Sequence, residues 1–131
     1  MKKIINFSCF TCLIVGIFIL FTTSPSMAAT FCVGTSAELQ SALTVSGTNS
    51  QDDSIQVQQG TYNGNFIYAY TESFDVTIEG GYSDSLCTVR DVDPDNTVLD
   101  AGDSGPVLVL SAPNVSANFE VVGDRHYGAI R

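Results

Sequence analysis

The sequence predicts an all-β domain that winds as a parallel β-helix behind a short capping helix and a signal peptide. Three observations lead to this fold class. Short apolar-alternating segments recur along the chain, two interleaved series of them share a spacing of about 21 residues, and glycine, proline or asparagine separates the segments. A single amphipathic helix precedes the first of these segments and is available to cover one end of the domain.

The first strand series alternates apolar and polar side chains with the period of two that is typical of a strand with one buried face. Its members begin at Ile55, Val76, Thr97 and Phe119, which are spaced almost evenly along the chain. A second series lies between them, begins at Phe66, Cys87 and Val107, and has nearly the same spacing as the first.

A constant repeat across both series favours a parallel β-helix, because each coil must return the chain to the same face one strand higher. A β-sandwich or jelly roll also joins short strands by turns, but neither needs a constant repeat. Seven apolar side chains are expected to point inward and stack in one column: Ile55, Val57, Val76, Ile78, Val98, Phe119 and Val121.

The capping helix is predicted over residues 36–43. Thr35 is its expected N-cap, and Glu38 stands three residues later, where it completes a capping box. The spacing of Leu39 and its neighbours gives the helix one narrow apolar face, and Gly47 ends it. Because one short helix cannot bury its own apolar face, we expect it to close the N-terminal end of the β-helix, where strand edges would otherwise be exposed.

Residues 1–28 are predicted to be a secretory signal peptide. Lys2 and Lys3 form a basic start, an apolar core ends at Phe21, and small residues, Ser26 and Ala28, stand at the two positions that signal peptidase reads. The alternative is an uncleaved membrane anchor, since residues 4–21 are at the lower limit of a spanning helix. We therefore expect an exported protein that is secreted, periplasmic or bound to the cell surface, with membrane contact only through the signal segment.

Cleavage after Ala28 would leave 103 of the 131 residues, with three arginines against 14 acidic residues and a net charge of −11. Such a chain is repelled by nucleic acid and by anionic membranes, because phosphate binding needs a basic surface. Its plausible charged partners are cations, and the acidic residues also keep an exported protein in solution.

Two of the four cysteines, Cys9 and Cys12, belong to the signal peptide. The remaining pair, Cys32 and Cys87, is expected to form a disulfide, since an exported protein folds in an oxidising compartment. Closing a loop of this length removes about 4 kcal/mol of entropy from the unfolded chain.

Several of these segments together resemble the opening of bacterial secreted proteins of the pectin-lyase-like superfamily. The segments that carry the resemblance are residues 32–43, 55–62, 76–83, 97–100 and 107–110, with Cys87 between them. The resemblance implies a right-handed parallel β-helix, of which residues 29–122 would be the N-terminal cap and first coils. It also implies two functions: a non-catalytic scaffold or adhesion module, whose partner would be an extracellular polysaccharide or a cell-surface ligand, or the N-terminal part of a polysaccharide lyase or glycoside hydrolase.

Residues 123–131 depart from the family pattern, because they contain neither a capping helix nor a polar terminal repeat. We expect an irregular tail there and interpret the chain as truncated. A small protein that covers its open end by dimerisation is the alternative, so self-association through that end is a further expectation.

Asp91, Asp93 and Asp95 are the best candidates for a metal site, as carboxylates at alternate positions of a loop suit calcium. The alternative, which we favour, is an acidic surface turn with local hydrogen bonds. No catalytic constellation is predicted: Asp52 and Asp53 are adjacent and should point apart, and Arg90 is expected to pair with Asp91 on the surface.

An aromatic alternation at Phe66, Tyr68 and Tyr70 has two interpretations. It could form a stripe on which sugars stack, or it could be ordinary strand packing, which is the commoner cause of such alternation.

Overall fold

The computed structural model describes residues 27–111 and 117–123, together with the backbone of residues 125–127. Within these ranges the chain forms one helix and nine strands. In chain order they are β1 (Ala29–Val33), α1 (Ser36–Ser46), β2 (Asp53–Gln58), β3 (Gly60–Asn63), β4 (Phe66–Ala69), β5 (Val76–Tyr82), β6 (Thr97–Asp100), β7 (Leu108–Ser111), β8 (Phe119–Val122) and β9 (Arg125–Tyr127).

The strands form three sheets, and every named pair of strands is parallel. The sheets have the orders β1-β2-β5-β8, β3-β6-β9 and β4-β7. Strands that follow one another in the chain, such as β2, β3 and β4, therefore belong to different sheets, and each finds its partner in a later part of the chain. The mainly-β class and the parallel pairing agree with the prediction.

The four segments of the first series are strands, as predicted, but their assignment to one continuous stack is wrong. The strand that begins at Thr97, β6, pairs with β3 and not with β5, whose later partner is β8. Asp53 pairs with Val76 and Val76 with Phe119, so the second step across the first sheet takes almost twice as much chain as the first.

The segment that begins at Cys87 is also different from the prediction, because it lies in the loop between β5 and β6 and not in a strand. The loop lengthens one circuit of the chain. Spacing along the sequence cannot distinguish two strands of one sheet from strands of two neighbouring sheets, and this explains the wrong assignment of β6. It also cannot distinguish a strand from a short apolar loop segment, and this explains the wrong assignment at Cys87.

The core is a column of apolar side chains between the sheets, and most of its predicted members are confirmed. Ile55, Val57, Val76 and Ile78 are fully buried or nearly so, and the side chains of β8, Phe119 and Val121, pack against them while remaining partly exposed.

The inward position of Val98 is wrong. Alternation along β6 places Thr97 and Leu99 inside and Val98 on the half-exposed face. A buried threonine is tolerated here because its hydroxyl Oγ1 accepts the Gly81 N–H at 2.8 Å and lies 3.4 Å from the Gln58 carbonyl oxygen, to which it donates.

The helix is confirmed and is three residues longer than predicted, since it ends at Ser46. Thr35 is the N-cap, and its hydroxyl accepts the Glu38 N–H at 3.2 Å. The Glu38 carboxylate returns to the N–H of Gly34, at 2.9 Å, one residue before the N-cap. The hydrogen bond from Gly34, and after it the one from the Thr35 side chain to the carboxylate, lowers the pKa of Glu38. The capping box therefore fixes the turn between β1 and α1.

The helix also covers a strand edge. Leu39, Ala42 and Leu43 are buried in the core, while the side-chain amide of Gln40 bonds the backbone of β4. Gln40 Nε2 donates to the Ile67 carbonyl oxygen and Gln40 Oε1 accepts the Ile67 N–H, both at 2.9 Å. Because β4 has a strand neighbour, β7, on one side only, Gln40 takes the place of a neighbour on the other side.

Two predictions concern the ends of the chain. Residues 1–26 of the predicted signal peptide lie outside the described residues. In the segment 123–131, expected to be irregular, the backbone of Arg125–Tyr127 forms β9 and pairs with β6.

In the described ranges, no helix is both long enough and apolar enough to cross a membrane.

Replacement of Gln40 by alanine should lower the free energy of unfolding by about 1–2 kcal/mol, because the N–H and C=O of Ile67 lose their partners. Urea denaturation followed by circular dichroism measures the change. Ser41→Ala, on the exposed side of the same helix turn, is the control and should have no destabilising effect. Equal stability of the two variants would contradict the role assigned to Gln40.

Candidate functional site

The loop between β5 and β6, residues 83–96, is the most elaborate surface feature of the described chain, and we call it the outer loop. A disulfide joins Cys87 in this loop to Cys32 in β1, with 5.7 Å between the Cα atoms, which confirms the predicted pairing. Cys87 Sγ lies 3.5 Å from the carbonyl oxygen of Gln56 in β2. Because β2 lies between β1 and β5, the disulfide crosses it and attaches the loop to the far strand of the sheet.

The first half of the outer loop is organised by one carboxylate. Asp84 accepts the backbone N–H groups of Leu86, Thr88 and Val89 at 3.3, 2.9 and 2.8 Å, and the Thr88 hydroxyl at 2.8 Å. The hydrogen bond from Val89 is the largest contribution that lowers the pKa of Asp84. Cys87 has a positive φ of 51°, a conformation that the disulfide and these hydrogen bonds hold in place.

Arg90 attaches the second half of the loop to two strands. Its guanidinium donates to the carbonyl oxygens of Gly80 at 2.9 Å and Val122 at 3.1 Å, and forms an ion pair with Glu79 at 3.3 Å. It also lies 5.7 Å from the centre of the Tyr82 ring. The expected pair between Arg90 and Asp91 is therefore wrong: the chain turns back at Tyr82, and Arg90 points to β5 and β8.

Three aliphatic side chains point from the outer loop into solvent. Leu86, Val89 and Val92 are 76%, 58% and 64% exposed. Single exposed aliphatic residues are common, but three on one loop that is held by a disulfide, an arginine and a carboxylate are not explained by the fold. The outer loop therefore has the properties of a contact surface: it is preorganised, presents three aliphatic side chains to solvent and is acidic in its last third.

The carboxylates predicted to bind calcium lie in that last third. Asp91 Oδ2 accepts the Asn96 side-chain amide at 3.2 Å, and Asp93 Oδ1 accepts the Asp95 N–H at 2.9 Å. These local bonds are those of an acidic turn. Throughout the described part of the chain, no group of three or more His, Cys, Asp or Glu side chains is placed to hold a metal ion.

Asp52 and Asp53 point apart, as expected for neighbours at the start of a strand. Asp52 is exposed, and its Oδ1 accepts the N–H of Asp75 at 2.9 Å, whereas Asp53 is buried. The pair is not arranged as an acid and a base about one substrate.

The aromatic alternation on β4 faces the core and not the solvent. Phe66 and Tyr68 are buried, and Tyr70 stacks on Tyr68 with 5.0 Å between ring centres. Ordinary strand packing explains these three residues.

A groove that the sequence did not predict lies between the free edge of β1 and α1. It is open to solvent, has a volume of about 350 Å³, and is lined by residues that include Phe31, Val33, Ala42 and Val45. Its origin is that β1 has a strand partner, β2, on one side only. The position of β1 at the edge of its sheet becomes evident only once the pairing is known.

Comparison of the chain with models of protein families, with curated proteins and with solved structures found no match. The geometry of the chain itself is therefore the basis for its function, and the outer loop is the described feature whose exposed aliphatic side chains the fold does not explain.

The disulfide should contribute roughly 2–4 kcal/mol to stability, since it closes a loop across a sequence separation of 55 residues. Urea unfolding of the wild type with and without reductant, and of the double variant Cys32→Ser/Cys87→Ser, measures this contribution. The double variant should match the reduced wild type and should not respond to reductant. If reduction freed both thiols and left the wild-type midpoint unchanged, the disulfide would not be stabilising.

The pKa of Asp84 is lowered in the folded chain, so its ionised form stabilises the outer loop above the ordinary carboxyl pKa of 3.8. That stabilisation is lost as the pH falls through the lowered value. Asp84→Asn should therefore be less stable than the wild type at neutral pH, and the difference should vanish in acid. Thermal melts from neutral to acid pH test this, with exposed Asp103→Asn as the control for loss of charge.

Proposed function

We propose that this chain is an exported, right-handed parallel β-helix protein of the pectin-lyase-like type. Its role is that of a non-catalytic scaffold which presents the outer loop to a cell-surface ligand. The observation that carries the proposal is the path of the chain past its three sheets. β2, β3 and β4 belong to the first, second and third sheet. β5, β6 and β7 follow in the same order, and each pairs in parallel with its counterpart.

A chain that visits three sheets and returns to the first one strand further along follows the path of a β-helix coil. β8 and β9 begin a further circuit, next to β5 and β6. The right hand is what connections between parallel strands of one sheet adopt in nearly all proteins.

The edges at the two ends of the strand ladders are covered to different extents. At the N-terminal end, Gln40 of α1 covers β4 and the disulfide secures β1, while the outer edges of β1 and β3 have no strand neighbour among the described residues. At the other end, β7, β8 and β9 have a strand neighbour on one side only among the described residues. Free parallel edges are templates for further strands, so this end is suited to further coils or to a second copy of the chain.

Export is supported by two independent features. A disulfide is typical of proteins that fold in oxidising compartments, and residues 1–28 have the basic, apolar and small-residue order of a signal peptide.

The chemistry of the outer loop favours one class of partner. Leu86, Val89 and Val92 offer aliphatic area, which suits an apolar patch on a protein better than a sugar ring. Acidic residues stand beside them, so a partner with a basic rim is attracted and an anionic polysaccharide is repelled. We therefore expect a protein ligand at a cell surface and not a polyuronate.

The test uses the chain from Ala29 onward, labelled and incubated with intact bacterial cells, with protease-treated cells, and with neutral and anionic polysaccharides. We expect binding to untreated cells that falls about tenfold in the triple variant Leu86→Ser/Val89→Ser/Val92→Ser. The control is Val45→Ser/Ile67→Ser, which removes two exposed aliphatic side chains elsewhere.

Equal loss in the triple variant and its control, or binding that survives protease treatment, would contradict a protein ligand at the outer loop. Release of reducing ends or of unsaturated sugars from a polysaccharide would contradict the non-catalytic role and support a lyase or hydrolase. Expression of the complete chain in a bacterium tests export, and the exported product should begin at Ala29.

A further inference from the structure

Two loops of the chain run side by side where α1 ends. One joins α1 to β2 and the other joins β4 to β5. The N–H of Thr71 donates to the Gly47 carbonyl oxygen at 3.3 Å, and the Ser50 hydroxyl donates to Glu72 Oε1 at 2.8 Å. A third contact follows at the start of β2, where the N–H of Asp53 donates to the Asp75 carbonyl oxygen at 2.9 Å. These bonds bring Glu72 beside the residues that precede β2.

Four buried oxygen atoms in these two loops and at the adjoining ends of α1 and β2 have no hydrogen-bond partner among the described residues. They are Ser46 Oγ, Asn49 Oδ1, Asp53 Oδ2 and Glu72 Oε2. We call these four residues the polar junction.

Two residues of the polar junction are almost completely enclosed, with 4% exposure for Ser46 and 5% for Asp53. Asn49 donates to the other carboxylate oxygen of Asp53 at 3.0 Å, so its amide nitrogen is used while its oxygen is not. A buried polar oxygen without a partner is unfavourable, and a buried carboxylate oxygen more so.

The charge of the polar junction is also uncompensated within the described structure. Two of its members are carboxylates, and Arg90, whose side chain is the only basic one in the described part, is engaged with Glu79. The last turn of α1 contains no basic residue, and the negative end of the helix dipole lies there. The carboxylates, the lone oxygen atoms and the dipole all favour a positive charge at the same place.

We propose that the polar junction is a calcium site, with Asp53, Glu72, Asn49 and Ser46 as its side-chain ligands. Oxygen ligands of mixed type, from carboxylate, amide and hydroxyl groups, suit a hard cation, and calcium accepts their irregular arrangement more readily than magnesium does. Two carboxylates make a weak site, with a dissociation constant of about 10⁻⁴–10⁻³ M, which is the range of extracellular calcium modules.

This inference goes beyond the proposed function, because it does not depend on what the outer loop binds. It also differs from the site predicted at Asp91, Asp93 and Asp95, whose carboxylates make the bonds of a local turn. The ion would join the end of α1 and the start of β2 to the β4–β5 loop. Ser50, with a positive φ of 61°, lies between two of the ligands and would be held from both sides.

The first experiment is a set of thermal melts of the chain from Ala29 onward in chelator, in calcium and in magnesium. A site that exists only in the folded chain must stabilise it. With a dissociation constant near the upper end of the expected range, about 10 mM calcium should raise the melting temperature by about 5 °C. Magnesium at the same concentration should raise it less.

The variants Asp53→Asn and Glu72→Gln should lose the calcium-dependent rise, while Asp93→Asn, which removes the same charge from the outer loop, should keep it. If calcium has no effect on the wild type, or if the rise is lost in Asp93→Asn and kept in the other two, the proposal is wrong.

Terbium luminescence keeps the test valid if Asp53→Asn does not fold. Tyr70 lies two residues before Glu72 and stacks on Tyr68 with 5.0 Å between ring centres, so these tyrosines are the expected sensitisers of a bound lanthanide. We expect tyrosine-sensitised terbium emission that calcium displaces and that is weakened at least several-fold in Glu72→Gln. Absence of sensitised emission from the folded wild type would overturn the proposal, as would emission that is unchanged in Glu72→Gln.

Discussion

Backbone hydrogen bonds between β2 and β5 join two segments that β3 and β4 separate in the chain, and every other part of the structure is arranged around that pair. β1 adds to one side of it and β8 to the other, so the first sheet grows outward from it in both directions. Ile55 and Ile78 stand opposite each other in this register and form the centre of the core. If β5 shifted by one residue against β2, Ile78 would turn outward while Ile55 stayed inside, so the register of this one pair determines whether the two strands share an apolar face.

The features that the sequence predicted well are those with local or chemical causes. The N-cap Thr35 and its partner Glu38 are three residues apart, and their signal is complete within one turn of the chain. Cys32 and Cys87 are far apart, but once the two cysteines of the predicted signal peptide are set aside no other pair remains. In both cases the answer did not depend on knowing which strand lies beside which.

The features that the sequence did not predict depend on that knowledge. Thr97 and Val98 are equally plausible as inward residues until β6 is paired with β3, and a polar residue inside is acceptable only because Gly81 and Gln58 supply its hydrogen-bond partners. The contact of Arg90 with Glu79 requires the chain to turn back at Tyr82. The polar junction unites residues from two separate segments, the stretch from the end of α1 to the start of β2 and the β4–β5 loop. What marks it is the burial of oxygen atoms, which no sequence pattern expresses.

The position of Cys32 and Cys87 in the chain has a consequence for how such a protein matures. In a chain that enters an oxidising compartment with its N-terminus first, Cys87 arrives 55 residues after Cys32. By then β1, α1 and β2 to β5 have all crossed, and the bond takes its native place when β5 has docked beside β2 and the outer loop has folded back. In such a chain the bond keeps the outer loop attached to β1, and this favours the docking of β5 beside β2 while the remaining strands are still entering the compartment.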